Sequence, residues 1–334
     1  PEPWEVNNFK KNRSIYKRQH LINYLLKRKE FGDYWALKWG DILRIKAEFP
    51  INLWPNGVHA YSTWIKMALK DNMPYDKLAR KLLTSTGSNF RVPPVNFYRA
   101  IQGTKPETIA QAVALTFMGS RIEKWPARER KAMVAFFSKL NFKGTAEWKE
   151  TIVYVDPNHD KNIYSRFPFD RRVTIRAYQD PRVVFADWLI NKNNPWFSRN
   201  IVNRIWFWLM GRGLIHEHDD ILKNSKAVHP KVLAYLEKEL IKSNYNLKHI
   251  YKIILNSAVY QQSCIPYSLG KKTIRYFACY PLKRLDAEVL IDAICYLTAS
   301  QESYKSPIPE PFTFIPEYER TIKLNDGSIT SPFL

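Results

Sequence analysis

The segment Gly211-Arg-Gly-Leu-Ile-His216-Glu-His218-Asp219-Asp220 gathers the side chains best equipped for chemistry. His216 and His218 alternate, so an extended backbone would aim both imidazoles the same way, with two carboxylates directly after them. Nitrogen and oxygen donors of this kind suit a divalent transition metal, which makes His216 and His218 candidate metal ligands. The competing reading has Asp219 and Asp220 capping backbone groups in a turn, with both histidines on the surface. Just upstream, Asn203 and Arg204 begin an apolar run that ends before Arg212. A guanidinium in such company needs a carboxylate, and Asp187, Asp219, Asp220, Asp286 and Glu288 are available. The result is either a packing network or an Arg204 or Arg212 that grips an anionic substrate group bidentately. The candidate catalytic set is therefore Arg204, Arg212, Asp219 and Asp220, with Asn203, Trp206, Arg284 and Asp286 as candidate binding residues. Asp286 and Glu288, two apart on an expected helix, would not share a face or act as a carboxylate pair.

Other chemistries lack their residues. No nucleophile elbow, phosphate-binding glycine loop or zinc-protease helix occurs. His159 and His229 sit in no triad pattern, and His229 before Pro230 reads as a turn or cap residue. Cys264, Cys279 and Cys295 match neither zinc-ligand pairs nor a haem attachment motif, and Cys295, in an apolar helical run, reads as a buried core thiol.

Helices must position these groups. Apolar residues recur at helical spacing over 16–28, 33–47, 61–69, 75–83, 105–118 and 127–140, with Pro50 and Pro55 breaking the chain between the second and third. Gly87 to Pro94 reads as a loop, and Gly119 as a helix end. Alternation over 152–155 and 173–178 predicts two short strands flanking a polar loop. The helical period then returns. Asp180-Pro181 is a capped start, Gly211 a C-terminal stop, His229-Pro230 a third start, and Asn246 a cap. A last helix is expected over 283–298, followed by a Pro-rich, irregular stretch. The expected fold is mainly α: two helical lobes with a small two-stranded β insertion between them. The expected divisions are 1–145, 146–179, 180–300 and 301–334.

A chain of 334 residues can bury a large core without staples. Aromatic residues make up 14% of it, enough for a bulky core or a surface that stacks on sugars. The formal charge of +21 favours acidic partners such as an anionic glycan. Nucleic acid is the weaker reading, because no finger, aromatic sheet signature or basic heptad region is present. No apolar stretch is long enough for a membrane span. Neither a signal peptide nor an initiating Met is seen, so a longer polypeptide is expected.

Several dispersed motifs run in order through the second half. They are Asp180-Pro-Arg182, Ala186-Asp187-Trp188-Leu189, Asn203-Arg204-Ile-Trp206, Gly211-Arg-Gly-Leu214, Asp219-Asp220, His229-Pro230, Leu247-Lys-His-Ile250, Ser257-Ala-Val-Tyr260 and Arg284-Leu-Asp-Ala-Glu288. Over 180–300 the chain resembles the second of two paired domains of unknown function that accompany planctomycete-type cytochrome c modules. Tyr34-Trp-Ala36, Asn72-Met-Pro-Tyr-Asp76 and Thr116-Phe-Met-Gly119 resemble the partner domain. The resemblance implies export to the periplasm or cell surface, but no reaction. Many such partner domains carry Cys-x-x-Cys-His after the glycine; here Ser120 to Pro126 holds neither Cys nor His, so no covalent haem is expected in this piece. Three functions follow as expectations. One is an exported accessory protein binding or helping to process acidic polysaccharide. Another is a metal-dependent hydrolase or oxidoreductase centred on Arg204, Arg212, His216 and Asp219. The third is a structural module docking a cytochrome or another partner domain.

Overall fold

The computed structural model describes residues 2–47, 53–158, 160–266, 270 and 274–334; Pro50 and His159 lie outside them. The architecture is mainly α, with 48% of residues helical and 7% in strands. The first half comprises α1 (Pro3–Lys11), α2 (Lys17–Leu25), α3 (Lys29–Leu43), α4 (Pro55–Lys70), α5 (Tyr75–Thr84), the short α6 (Asn96–Arg99), α7 (Pro106–Met118) and α8 (Ala127–Ala135). The second comprises α9 (Pro181–Leu189), α10 (Phe197–Met210), α11 (Pro230–Lys242), α12 (Leu247–Asn256) and α13 (Ala287–Thr298). Among the described residues no helix is long and apolar enough to cross a membrane.

Local chemistry sets several boundaries. The Asp180 carboxylate accepts from the Arg182 amide to start α9, and Asn246 accepts from His249 to start α12. Gly119 and Gly211 end α7 and α10 in left-handed conformations. Gly119 has a second requirement: a Cβ there would lie 2.5 Å from Asn200 Oδ1 and 2.9 Å from the His218 carbonyl. Asp286 precedes α13 in extended backbone, without a side-chain cap bond, so this helix starts at Ala287 rather than near 283.

The β insertion is richer than one strand pair. The expected strands exist as β3 (Thr151–Val155) and β5 (Arg172–Ile175), but they do not pair with each other. β3 lies between β1 (Gly87–Ser88) and β2 (Leu140–Gly144), whereas β5 pairs with β4 (Ile163–Arg166), which arises inside the expected polar loop. Both sheets are antiparallel, and Gly87-Ser88 becomes an edge strand instead of remaining loop.

Aromatic side chains weld the two halves into one core. Tyr75 of α5 stacks on Phe197 of α10 with centroids 4.5 Å apart, and Trp35 of α3 meets Tyr251 of α12 at 4.5 Å and Trp208 of α10 at 5.4 Å. Phe136 and Phe137 pack on Phe185 of α9. A single cluster of buried residues runs from Leu26 to Phe277, so the high aromatic content is largely core material. Arg182, 1% exposed, locks the same seam: it pairs with Asp180 and donates to the Ser85 and Thr84 carbonyls at the end of α5. Tyr98 lies under that guanidinium, and burial pushes its hydroxyl up to about 12.

Candidate functional site

The polar segment after α10 folds back onto α7 and α10. Arg204, buried in mid-helix, reaches the Asp219 carboxylate at 2.6 Å, and His218 Nε2 approaches the other oxygen at 3.3 Å while its ring stacks on Phe207 at 3.7 Å. Burial works to raise the Asp219 pKa, but the His218 hydrogen bond and the Arg204 charge prevail and hold it down at about 2. Asp220 pairs instead with Lys124, and His216 with Glu217 on the surface. Asn203, fully buried, accepts from the Ile215 amide at 2.9 Å and donates to the Ile215 carbonyl at 3.0 Å. Trp206 is buried edge-on against Phe277.

Arg204, Asp219 and His218 are thus brought together, while His216 and Asp220 turn elsewhere. A guanidinium already occupies the carboxylate that a metal cation would use. Among the described residues no group of three His, Cys, Asp or Glu side chains converges on one point. The arrangement can tie a loop to two helices; Arg212 Nε and Asp220 Oδ1 remain buried without a protein partner beside it. The stretch after Gly119 forms a turn in which buried Ser120 accepts from Trp125 Nε1 at 2.8 Å.

A cleft of about 1410 Å³ lies elsewhere, between the Tyr34–Lys38 turn of α3 and α13. Two of the expected binding residues, Arg284 and Asp286, are in its wall. Asp286 is the pivot: it accepts from Tyr34 Oη at 2.7 Å and from Lys38 Nζ at 2.8 Å, joining positions some 250 residues apart. Burial opposes its charge, yet Lys38 and Tyr34 keep its pKa below the ordinary value; burial and the same carboxylate push the Tyr34 hydroxyl upward. Burial also lowers the Lys283 pKa, and its ammonium donates to the Trp208 and Leu209 carbonyls at the end of α10. Because Asp286 precedes the helix in extended backbone, it and Glu288 line one small cavity of about 100 Å³ beside Tyr34 and Lys38. The expectation that they could not share a face assumed a helix starting earlier.

The cleft wall on the α13 side is apolar. Leu282, Leu285, Tyr296 and Leu297 line it and are all more than half exposed. The helix reads Ala-Glu-Val-Leu-Ile-Asp-Ala-Ile-Cys-Tyr-Leu-Thr, yet among its residues only Ile291 is buried. Cys295 accordingly stands in the cleft wall, half-buried, and not in the core as its apolar neighbours implied. The polar part of the lining holds seven carboxylate side chains and five basic ones, an acidic excess on a molecule of net charge +21. Tyr34 and Leu285 stood in the sequence only as parts of family motifs, and Lys38, Leu282 and Leu297 were not singled out; the signal for the leucines was that α13 is apolar on more sides than one stripe.

The fold is a mainly α unit in which two halves share a core and leave a mixed apolar and acidic cleft. Residues 181–326 match the family model described as PSD1, a protein of unknown function (DUF1553), and residues 1–141 match PSCyt2, a protein of unknown function (DUF1549). The chain belongs to the proteins that carry these paired domains, which are associated with planctomycete cytochrome c proteins. Comparison with curated proteins and with solved structures gives no match.

Proposed function

We propose that this chain is a docking module of an exported protein of the periplasm or cell surface, and that its cleft seats an amphipathic, basic segment of a partner domain. The observation that carries this reading is α13 and the turn before it: an apolar helix with one buried residue, its Leu297 and the preceding Leu282 and Leu285 lining a cleft rather than a core. Contiguous apolar surface of this kind, rimmed by charge, marks an interaction site. An amphipathic helix laid in such a groove would place its apolar face on Leu285 and Leu297 and its cations against Glu2 and Glu302, the lining carboxylates left over, among the described residues, once Glu5, Glu30, Asp286, Asp292 and Glu319 are ion-paired. The family association makes a cytochrome c module of the same polypeptide the first partner to try. The hydrolase or oxidoreductase reading has less support, because the Asp219 carboxylate is already engaged by Arg204 on one oxygen and His218 on the other.

The test is fluorescence anisotropy with two labelled 18-residue peptides that share one leucine face, one bearing lysines and the other glutamates. The lysine peptide should bind saturably to the wild-type protein and lose at least about tenfold in affinity to the Leu285→Glu, Leu297→Glu double variant. Equal binding to both proteins, or none to either, overturns the reading.

A further inference from the structure

A second groove, of about 540 Å³, runs along the seam where α2 packs on α12. Its walls are unlike those of the cleft. Tyr16, Arg18, Gln19, Lys252, Asn256 and Gln261 supply an aromatic ring, two cations and three amides, and no carboxylate lines it. Neither Arg18 nor Lys252 has an ion-pair partner among the described residues. Elsewhere the bases near carboxylates are paired: Arg199 with Glu237 and Arg204 with Asp219, for example. His249 closes one side of the groove and is oriented from behind by Glu239, 3.3 Å from Nε2. The amide of Asn256 donates to the Lys252 carbonyl and that of Gln261 to the Leu255 carbonyl, so both side-chain oxygens are left as acceptors.

From this set we infer that the α2/α12 groove is a binding site for an acidic sugar, a uronate or sulfated residue within a polysaccharide chain. Two unpaired cations meet the carboxylate or sulfate by charge-assisted hydrogen bonds. Three amides, which both donate and accept, match sugar hydroxyls, and the exposed Tyr16 ring offers a face for stacking. The balance separates a sugar from nucleic acid, where affinity rests on many phosphate contacts along a cationic track and the amides would be secondary. The groove draws on both halves of the chain, so it exists only in the assembled fold. This inference does not rest on the cleft or on its occupant.

The experiment is isothermal titration of the whole chain with four probes: an oligogalacturonate, a sulfated oligosaccharide, a neutral maltooligosaccharide, and a single-stranded oligonucleotide of matched charge. One or both acidic oligosaccharides should bind saturably, and the neutral one should not. Arg18→Gln and Lys252→Gln should each weaken that binding about tenfold or more, since each removes a charged hydrogen bond, with melting temperatures unchanged. Leu285→Glu, Leu297→Glu should leave it intact. The inference is overturned if neither acidic oligosaccharide binds, if the variants bind as well as wild type, or if the neutral sugar binds equally. Tighter binding of the oligonucleotide through Arg18 and Lys252 would also overturn it and make the groove a nucleic-acid site.

Discussion

Asp219 shows how a residue chosen for chemistry can be held by structure. Folding lowers its pKa from 3.8 to about 2, so the unfolded chain takes up the proton first as pH falls. The stability it contributes is therefore complete above about pH 4 and lost between there and about pH 2. Thermal melts should show Asp219→Asn less stable than wild type at neutral pH, with the gap closing as pH drops through that window; a gap that stays constant contradicts the Arg204 pairing. Arg182 makes a stronger case, because its carboxylate and carbonyl partners lose their donor in Arg182→Met. Denaturant unfolding should register a loss of about 3 kcal/mol. Gly119→Ala meets both a positive φ of 61° and the Asn200 and His218 atoms, and should cost about 2 kcal/mol or more by the same measurement. At this scale the sequence was informative about need and silent about partner. The company of Arg204 showed that it required a carboxylate, but nothing in the spacing chose Asp219 over Asp286, which serves Tyr34 and Lys38 instead.

Among the elements, those defined by local chemistry were legible. Asp180-Pro181, Asn246, Gly119 and Gly211 mark their helix ends because caps depend on a few adjacent backbone groups. Pairing was not legible in that way: β3 and β5 alternate correctly, but Ile163–Arg166 supplies β5 with a nearer partner. The helix α13 shows the limit of periodicity, since an apolar pattern requires a cover without saying whether the same chain provides it. Its two faces should separate cleanly in mutagenesis. Ile291→Ala should destabilise the protein by about 2–3 kcal/mol, as for a buried aliphatic truncation, whereas Leu297→Ala should stay within about 0.5 kcal/mol. Equal losses at both positions would mean that Leu297 is covered by the chain itself.

For the whole molecule, the shared core predicts one cooperative transition. Tyr75 on Phe197 and Trp35 against Trp208 join the two matched families, so neither half keeps its buried surface alone. Calorimetric and van't Hoff enthalpies should agree, and two separated transitions would contradict a common core. The central claim is that the α13 cleft is where a basic, amphipathic partner segment docks. Hydrogen exchange read by mass spectrometry, with and without the lysine-bearing peptide, tests it most directly. Slowed exchange confined to residues 287–298 and to the Tyr34–Lys38 turn of α3 is the predicted result. Unchanged exchange in α13, or slowing centred on α2 and α12, would contradict it.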